Sequence, residues 1–246
     1  MCIVVYKPKD IDMPSKEILM ECFDRNPDGA GYMFPEDGKV IIKKGFMNFK
    51  AFYASVMKDY DKKLPFVLHF RIQTQGGVNQ ECTHPFPISK NMIDLRQLDC
   101  ECKFGLAHNG IISLTSKSSY STYYDYNSHQ YRYDYKKPDY SDTMKFITDY
   151  LSLIIKKKDW YKDEDTLTLI EELAGCSNKF AIMDGDGHTT LIGNFIEDGG
   201  VMYSNGSYEP YIPKIKACDY KCDYCESYMD CYYPDDYIDT TDRKCD

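Results

Sequence analysis

Residues 1–6, MCIVVY, place a cysteine between the first methionine and an apolar run that is typical of a buried strand. Two more apolar runs, PFVLHFRI (65–72) and KFGLAHNG (103–110), are predicted to be central strands that end in polar residues. Hairpins are predicted over 31–45 and 179–195, where Asp-Gly turns separate apolar segments. Strands therefore dominate both ends of the main part of the chain.

Helices are predicted between these strands from apolar positions at helical spacing and from capping residues. Ser141 is expected to start one long helix, and Gly175 to end the next. Residues 116–140 are polar, rich in tyrosine and aperiodic, so we expect an inserted loop there. This arrangement predicts a layered α+β fold. The expected helices cover 15–23, 49–60, 141–157 and 166–175.

The composition argues against several classes of protein. The chain has 246 residues, 43% of them apolar, so it can bury a sizeable core. Its formal net charge of −9 argues against a nucleic-acid-binding face. No apolar run approaches a membrane span, and Lys7 and Pro8 interrupt the N-terminal run too early for a signal peptide. We therefore expect a cytoplasmic protein with neither a membrane nor a nucleic acid as partner.

The eleven cysteines do not suggest a disulfide framework, because the count is odd and no signal peptide is expected. In a reducing compartment such thiols serve as metal ligands, nucleophiles or small buried residues. Several of them lie in an acidic segment that starts after about Pro213. We expect a main domain over 2–212 and a cysteine-rich tail over 213–246.

Cys2 is a candidate nucleophile. If the first methionine is removed, this residue carries both a thiol and a free α-amino group. An α-amine titrates at about 7.7–8.0, so it can take the thiol's proton, as in enzymes whose N-terminal amine is the base. Taken alone, Cys2 is better explained as a buried strand cysteine that happens to be second.

Three other positions offer matching chemistry. Asn109-Gly110 follows a predicted strand, where an amide and a flexible backbone N–H can donate to an oxyanion, although Asn-Gly is also an ordinary turn. Arg71 can bind a carboxylate through two parallel hydrogen bonds, or be a surface arginine. Asp142 can accept an ammonium group, or simply cap a helix. Together with Cys2, these residues suit an α-amino acid with a scissile side-chain carbonyl.

The order of the motifs resembles the class II glutamine amidotransferases, the glutaminase domains of glucosamine-6-phosphate synthase, amidophosphoribosyltransferase, asparagine synthetase and glutamate synthase. The resemblance runs from Cys2 to about Asn205 through MCI, RNPDGAG, HFRIQTQGG, the HP of CTHPF, HNGII, SDT and KFAIMD. It implies a four-layer αββα N-terminal-nucleophile hydrolase sandwich. It also implies a glutaminase that works through a γ-glutamyl thioester and needs no cofactor for that reaction.

The resemblance implies a catalytic set. Cys2 is the nucleophile, and Asn109 with Gly110 forms the oxyanion hole. The chain departs from several members after the clamp arginine, where it has Ile72 instead of tryptophan and Gln75 instead of histidine. These departures suggest looser or differently regulated glutamine positioning, while every core catalytic part is present.

The resemblance also implies a substrate-binding set. Arg71 holds the glutamine carboxylate, with Thr74 nearby in the same loop. Asp142 accepts the α-amino group of the substrate. Arg25 stands where the family's motif carries an arginine near the nucleophile, although the residues that follow it differ here.

The named members fuse this domain to a synthase domain that consumes the ammonia. About forty residues follow Asn205 in this chain, too few for such a domain. We therefore expect glutamine as substrate and a separate synthetase or ligase subunit that receives the ammonia.

The tail offers a candidate metal site. Four closely spaced thiols could close a tetrahedral zinc shell, which would staple a segment too short for its own core. Their spacing differs from the usual two separated CxxC pairs, and a disordered acidic tail is the equally weighted alternative. The four residues are Cys218, Cys222, Cys225 and Cys231.

Three alternative functions stay open at this point. The same site could serve an N-terminal-nucleophile amidase that acts on another γ-glutamyl compound without ammonia transfer. The fold could also carry a non-catalytic binding module, or a zinc-tail interaction protein in which the glutaminase is incidental. The joint presence of the nucleophile, oxyanion donors, clamp and amine acceptor disfavours the non-catalytic interpretations.

Overall fold

The computed structural model of the protein describes residues 2–73, 78–114, 119–125, 128–136, 140–157 and 159–210. These residues form a mixed α+β fold with antiparallel sheets. The strands are β1 (Ile3–Lys7), β2 (Ala30–Glu36), β3 (Lys39–Phe46), β4 (Phe66–Phe70), β5 (Phe86–Pro87), β6 (Asp99–Cys102), β7 (Phe104–Asn109), β8 (Ser119–Asp125), β9 (Gln130–Lys136), β10 (Lys179–Asp184), β11 (Thr189–Ile192), β12 (Ile196–Asp198) and β13 (Val201–Tyr203). The helices are α1 (Lys16–Arg25), α2 (Phe49–Asp59), α3 (Met92–Arg96), α4 (Asp142–Phe146), α5 (Ser152–Ile154) and α6 (Glu164–Ala174).

Two antiparallel sheets carry most of the strands. The larger has seven strands in the order β12-β13-β1-β4-β2-β3-β6, and the smaller has four in the order β11-β10-β7-β5. The first strand, β1, lies in the middle of the larger sheet between β13 and β4, so both ends of the described chain meet there. Cys2, which precedes β1, therefore lies beside Arg71, which follows β4.

Successive side chains of a strand point to opposite faces of its sheet, and the buried residues therefore form three separate hydrophobic clusters. Residues of β1 illustrate it: Ile3 and Val5 pack with α1 and α2, whereas Val4 packs with residues of the smaller sheet. Strand β10 does the same, since Phe180 packs with α4 and α6 while Ala181 joins the cluster that contains Val4. That central cluster contains Val4, Met33, Val40, Ile42, Val67, Ala107, Ala181 and Met183.

The tyrosine-rich insert contains a hairpin. Strands β8 and β9 form a separate two-stranded sheet in which Ser119 pairs with Lys136 and Asp125 with Gln130. The prediction of an irregular loop is therefore wrong for these residues. The segment QYRYDYK (130–136) alternates tyrosine with polar residues, and tyrosine favours strands.

The predicted long helix after Ser141 is interrupted. Its start is confirmed, because the Ser141 Oγ accepts a hydrogen bond from the Met144 N–H at 3.2 Å. Beyond α4 the chain continues as a π-helical segment, Ile147–Leu151, before the single turn of α5. Within the described residues, no helix combines the length and apolar character needed to cross a bilayer.

Candidate active site

A narrow cavity lies where five parts of the sequence meet. It encloses about 20 Å³, which is room for about one water molecule. Cys2 enters it from the start of β1, Arg71 and Ile72 from the end of β4, and Gly110 from the end of β7. The full lining is Cys2, Arg71, Ile72, His84, His108, Gly110, Ser141, Asp142 and Thr143.

The Cys2 thiol lies against the main chain of Ile72. The Ile72 N–H donates to Sγ at 3.4 Å, and Sγ lies 3.3 Å from the Ile72 carbonyl oxygen. Burial raises the pKa of the Cys2 thiol, and the Ile72 N–H and the Arg71 guanidinium oppose this shift in part. The thiol is therefore neutral at pH 7 and needs a base before it can attack a carbonyl.

The backbone of Cys2 is held by residues just beyond β13. The Asn205 side chain donates from Nδ2 to the Cys2 carbonyl at 2.7 Å. Ser204 fixes the next residues of β1, because its Oγ accepts from the Val4 N–H at 2.9 Å and its own N–H donates to the Val4 carbonyl at 2.9 Å. The position of Cys2 thus depends on contacts that span about 200 residues of sequence.

Arg71 brings a buried cation to the cavity. Its side chain is only 3% exposed. Its backbone is paired with the turn before β2, since its N–H donates to the Gly29 carbonyl at 2.8 Å and its carbonyl accepts from Asp28 at 2.9 Å. The end of β4 therefore presents the guanidinium from a fixed main chain, which suits recognition of a carboxylate.

Asp142 brings a buried carboxylate to the same cavity. Its Oδ2 accepts from the Ile112 N–H at 2.8 Å, and its Oδ1 accepts from the Thr143 N–H at 2.9 Å. Two main-chain donors thus fix its orientation at the start of α4. Arg71 and Asp142 give the cavity one positive and one negative group, which matches the charges of an α-amino acid.

His108 lines the cavity and forms hydrogen bonds with two neighbouring side chains. Burial lowers the pKa of His108, which keeps the ring neutral, although Asp142 opposes this shift. Asn178 donates from Nδ2 to the Ala174 carbonyl at 2.7 Å, so its Oδ1 faces the ring and accepts from Nε2 at 2.7 Å. His108 Nδ1 is then the acceptor for the Thr143 hydroxyl at 2.8 Å.

The glycine at the end of β7 is required by its surroundings. Gly110 has φ of +144°, and a Cβ there would lie 2.2 Å from the Asn178 Oδ1. Its neighbour Asn109 is buried and does not line the cavity. The Asn109 Nδ2 donates to the Ser204 Oγ at 3.1 Å, while Oδ1 has no hydrogen-bond partner among the residues described here.

Among the remaining predicted site residues, only Arg25 lies in the described part of the chain. Arg25 lies in the last turn of α1, where its Nε donates to the Glu21 carboxylate at 2.6 Å, and it does not line the cavity. Thr74 lies outside the described residues, as do Cys218, Cys222, Cys225 and Cys231. Within the described ranges, no group of three or more His, Cys, Asp or Glu side chains is placed to hold a metal ion.

Sequence reasoning missed residues that the structure adds to the cavity. His84 and His108 lie within the motifs CTHPF and HNGII, but no role followed from them there. Ser204 and Asn205 carry no local signal at all, because their partners are at the other end of the domain.

No family model matches the chain, and a search of curated proteins finds no match.

Proposed function

We propose that this protein is a glutaminase of the class II glutamine amidotransferase type, in which Cys2 attacks the side-chain amide of glutamine. The product would be glutamate, with ammonia released to an amide- or amine-forming partner that acts in trans. One observation carries the proposal: a thiol, a buried arginine, a buried aspartate and the strand-end Gly110 share one cavity.

The arrangement of the hydrophobic clusters supports the same family. Helices α1 and α2 pack on the larger sheet, and α4 and α6 pack on the smaller one. The cluster that contains Val4 and Ala181 draws its residues from both sheets. We propose that these are the four layers of an αββα N-terminal-nucleophile hydrolase sandwich, with Cys2 at the start of a central strand.

The charges at the cavity suggest how glutamine is oriented. The Arg71 guanidinium would bind its α-carboxylate with two parallel hydrogen bonds. Asp142 would accept the α-ammonium group, which leaves the side-chain amide to reach the thiol. About one water molecule fits the cavity as it stands. The cavity would therefore have to widen when glutamine enters.

The α-amine of Cys2 would be the base, once the first methionine has been removed. It takes the thiol proton as sulfur bonds to the amide carbon, and the resulting oxyanion collapses with cleavage of the C–N bond. The ammonium returns the proton to the departing nitrogen, so ammonia leaves and a γ-glutamyl thioester remains. Because burial keeps the Cys2 thiol neutral, a nearby base is a requirement of this step.

Asn109 and Gly110 would stabilise the oxyanion. Turning the Asn109 amide by 180° exchanges the positions of its oxygen and nitrogen. The Ser204 hydroxyl can then donate to Oδ1, since its oxygen already accepts from the Val4 N–H. The amide nitrogen would then occupy the place of the unpartnered oxygen, and it would donate to the oxyanion beside the Gly110 N–H once the cavity widens to include Asn109.

The test is glutamine hydrolysis by purified protein, measured as glutamate and ammonia. The wild type should be active and begin at Cys2 by intact mass, and Cys2→Ala should remain folded and be inactive. Cys100→Ala is the matched control, because this half-buried thiol of β6 does not line the cavity. Activity in Cys2→Ala, or active protein that retains the first methionine, would overturn the mechanism.

The same assay separates the other candidate functions. A γ-glutamyl amide hydrolysed in preference to glutamine would indicate an amidase for another γ-glutamyl compound. Binding of glutamine without turnover, in protein with a free Cys2 amine, would indicate a binding module.

A further inference from the structure

His84 is a buried imidazole that faces the cavity and has no role in the steps above. His84 is 5% exposed, and it lines the same cavity as Cys2. Neither ring nitrogen has a hydrogen-bond partner among the described residues. Buried polar atoms are almost always paired, so an imidazole with two unpaired nitrogens at a cavity wall points to a ligand.

The neighbours of His84 hold its ring by packing. Its centroid lies 4.2 Å from that of His69 and 4.5 Å from that of Phe86. Burial lowers its pKa well below the usual range, and the nearby His69, His108, Arg71 and Lys44 act in the same direction. The ring is therefore neutral, with one N–H donor and one acceptor, and it is a poor proton acceptor.

Water fits both the cavity and the ring nitrogens of His84, which are unpaired within the described part of the chain. A volume of about 20 Å³ accommodates about one water molecule, and water requires polar partners of the kind that His84 offers. We infer that His84 holds a water molecule in this cavity, and that this water hydrolyses the γ-glutamyl thioester on Cys2. The inference rests on the proposed function. It assigns a residue to the second half of the proposed reaction, which is hydrolysis of the thioester.

The hydrolytic step balances without a further reactant. The water oxygen bonds to the thioester carbonyl carbon, and its proton passes to the Cys2 α-amine. The tetrahedral intermediate then collapses with cleavage of the C–S bond, and the ammonium returns the proton to the thiolate. Glutamate and free enzyme result. His84 orients the water throughout and takes no proton.

Replacing the imidazole should therefore slow one half of the reaction. His84→Phe keeps an aromatic ring against His69 and Phe86 but cannot bind water. We expect thioester formation near the wild-type rate, seen as a burst of about one ammonia per enzyme. Thioester hydrolysis should fall by about 10-fold to 100-fold, as misplaced reactants do, so the γ-glutamyl adduct accumulates and is visible by intact mass.

Two further variants separate this role from a structural one. His84→Asn retains groups that hydrogen-bond to water and should recover part of the hydrolysis rate. His69→Phe removes a buried imidazole from the same cluster without changing the cavity lining, so it should leave the ratio of hydrolysis to thioester formation unchanged. Hydroxylamine, a stronger nucleophile, should release the adduct of His84→Phe as γ-glutamyl hydroxamate.

Several outcomes would overturn the inference. One is a folded His84→Phe whose thioester hydrolyses at the wild-type rate. Another is a parallel loss of both steps in His84→Phe and His84→Asn. If His84→Phe does not fold, His84→Asn decides alone: wild-type partitioning between water and hydroxylamine contradicts the role, and a shift toward hydroxylamine supports it. Absence of any thioester in the wild type would instead refute the proposed function.

Discussion

At the scale of single residues, the cavity combines a thiol that burial keeps protonated with charged groups that burial holds in place. In the proposed mechanism, Cys2 would gain reactivity when its own α-amine removes the thiol proton, so exposure of that amine would activate the site. Arg71 and Asp142 would have a different task, because Arg71 is fixed through its backbone and Asp142 through its carboxylate, so they position charges and not reacting atoms. Substitutions that weaken glutamine binding are therefore expected to differ from those that slow the chemical step.

Arg71→Lys should weaken glutamine binding. Lysine keeps the charge but loses the two parallel hydrogen bonds, and a hydrogen bond to a charged group contributes about 1.5–3 kcal/mol. We expect KM to rise about 10-fold to 100-fold with a smaller change in kcat. Steady-state kinetics measure this, with Arg96→Lys as control, since Arg96 pairs with Glu81 away from the cavity. Unchanged KM would remove Arg71 from the substrate-binding set.

Asn109→Ala should act on the chemical step. The loss of one oxyanion donor lowers kcat by roughly 10²–10³, while KM should change little. Pre-steady-state measurement of the ammonia burst tests this directly, because thioester formation should become slow. An effect confined to KM would contradict the oxyanion role and suggest that the amide contacts the ground state.

At the scale of elements, Lys44 of β3 ties the segment that carries His84 to the larger sheet. Its Nζ donates to the carbonyls of Glu81 and Leu95 at 2.9 and 2.6 Å, and it lies 3.9 Å from the Phe86 ring centroid. Burial lowers the pKa of Lys44 to about 7, against the opposing influence of Cys100, Cys82 and Glu81.

This shift predicts a pH dependence of stability. Above about pH 7 the folded chain has lost the Lys44 proton, whereas the unfolded chain keeps it up to about pH 10.4. Stability from this group therefore rises with pH in that window, by at most about 1.4 kcal/mol per pH unit, and is flat below it. Urea unfolding of the wild type and Lys44→Met, compared between pH 6 and pH 9, measures the difference.

The wild type should gain stability relative to Lys44→Met as the pH rises through this window. Lys39→Met, at an exposed position of the same strand, is the matched control and should retain the wild-type pH dependence. A difference that is constant with pH would mean that the ammonium stays charged in the folded protein.

The elements that the sequence predicted best are those with continuous apolar runs. β1, β4, β7 and β10 are buried on both faces, because one face packs on helices and the other on the opposite sheet. The hairpin of β8 and β9 was missed because its alternation uses tyrosine and not aliphatic residues. The interruption after α4 was missed because the apolar spacing continues through the π-helical segment at Ile147–Leu151.

At the scale of the whole molecule, the candidate site could be predicted only in part. Cys2, Arg71, Gly110 and Asp142 follow or precede regular elements, so their motifs are visible locally, and the structure brings all four to one cavity. His84 lines it from the segment before β5, and Asn205 reaches Cys2 after β13. Such contacts depend on antiparallel pairing between distant strands, which leaves no local pattern.

The tail gives a prediction at the same scale. Four thiolates between Cys218 and Cys231 would complete a tetrahedral shell and leave no open position for a reactive water, so any bound zinc would be structural. Truncation after Pro213 should therefore remove zinc and spare glutamine hydrolysis. Metal analysis of both forms, purified without chelators, and a glutaminase assay test this. Negligible zinc in both forms contradicts the metal site, and lost activity would mean that the tail completes the active site.

The hydrogen bond from Asn205 to the Cys2 carbonyl also sets a schedule for biosynthesis. The two residues are 203 positions apart, and a ribosome adds about 5–20 residues per second, so Cys2 is translated about 10–40 s before its support. Throughout that interval the nascent chain displays an N-terminal thiol without the strand that anchors it. If Cys2 is the nucleophile that we propose, glutamine would not be hydrolysed on the ribosome until almost the whole domain has been made.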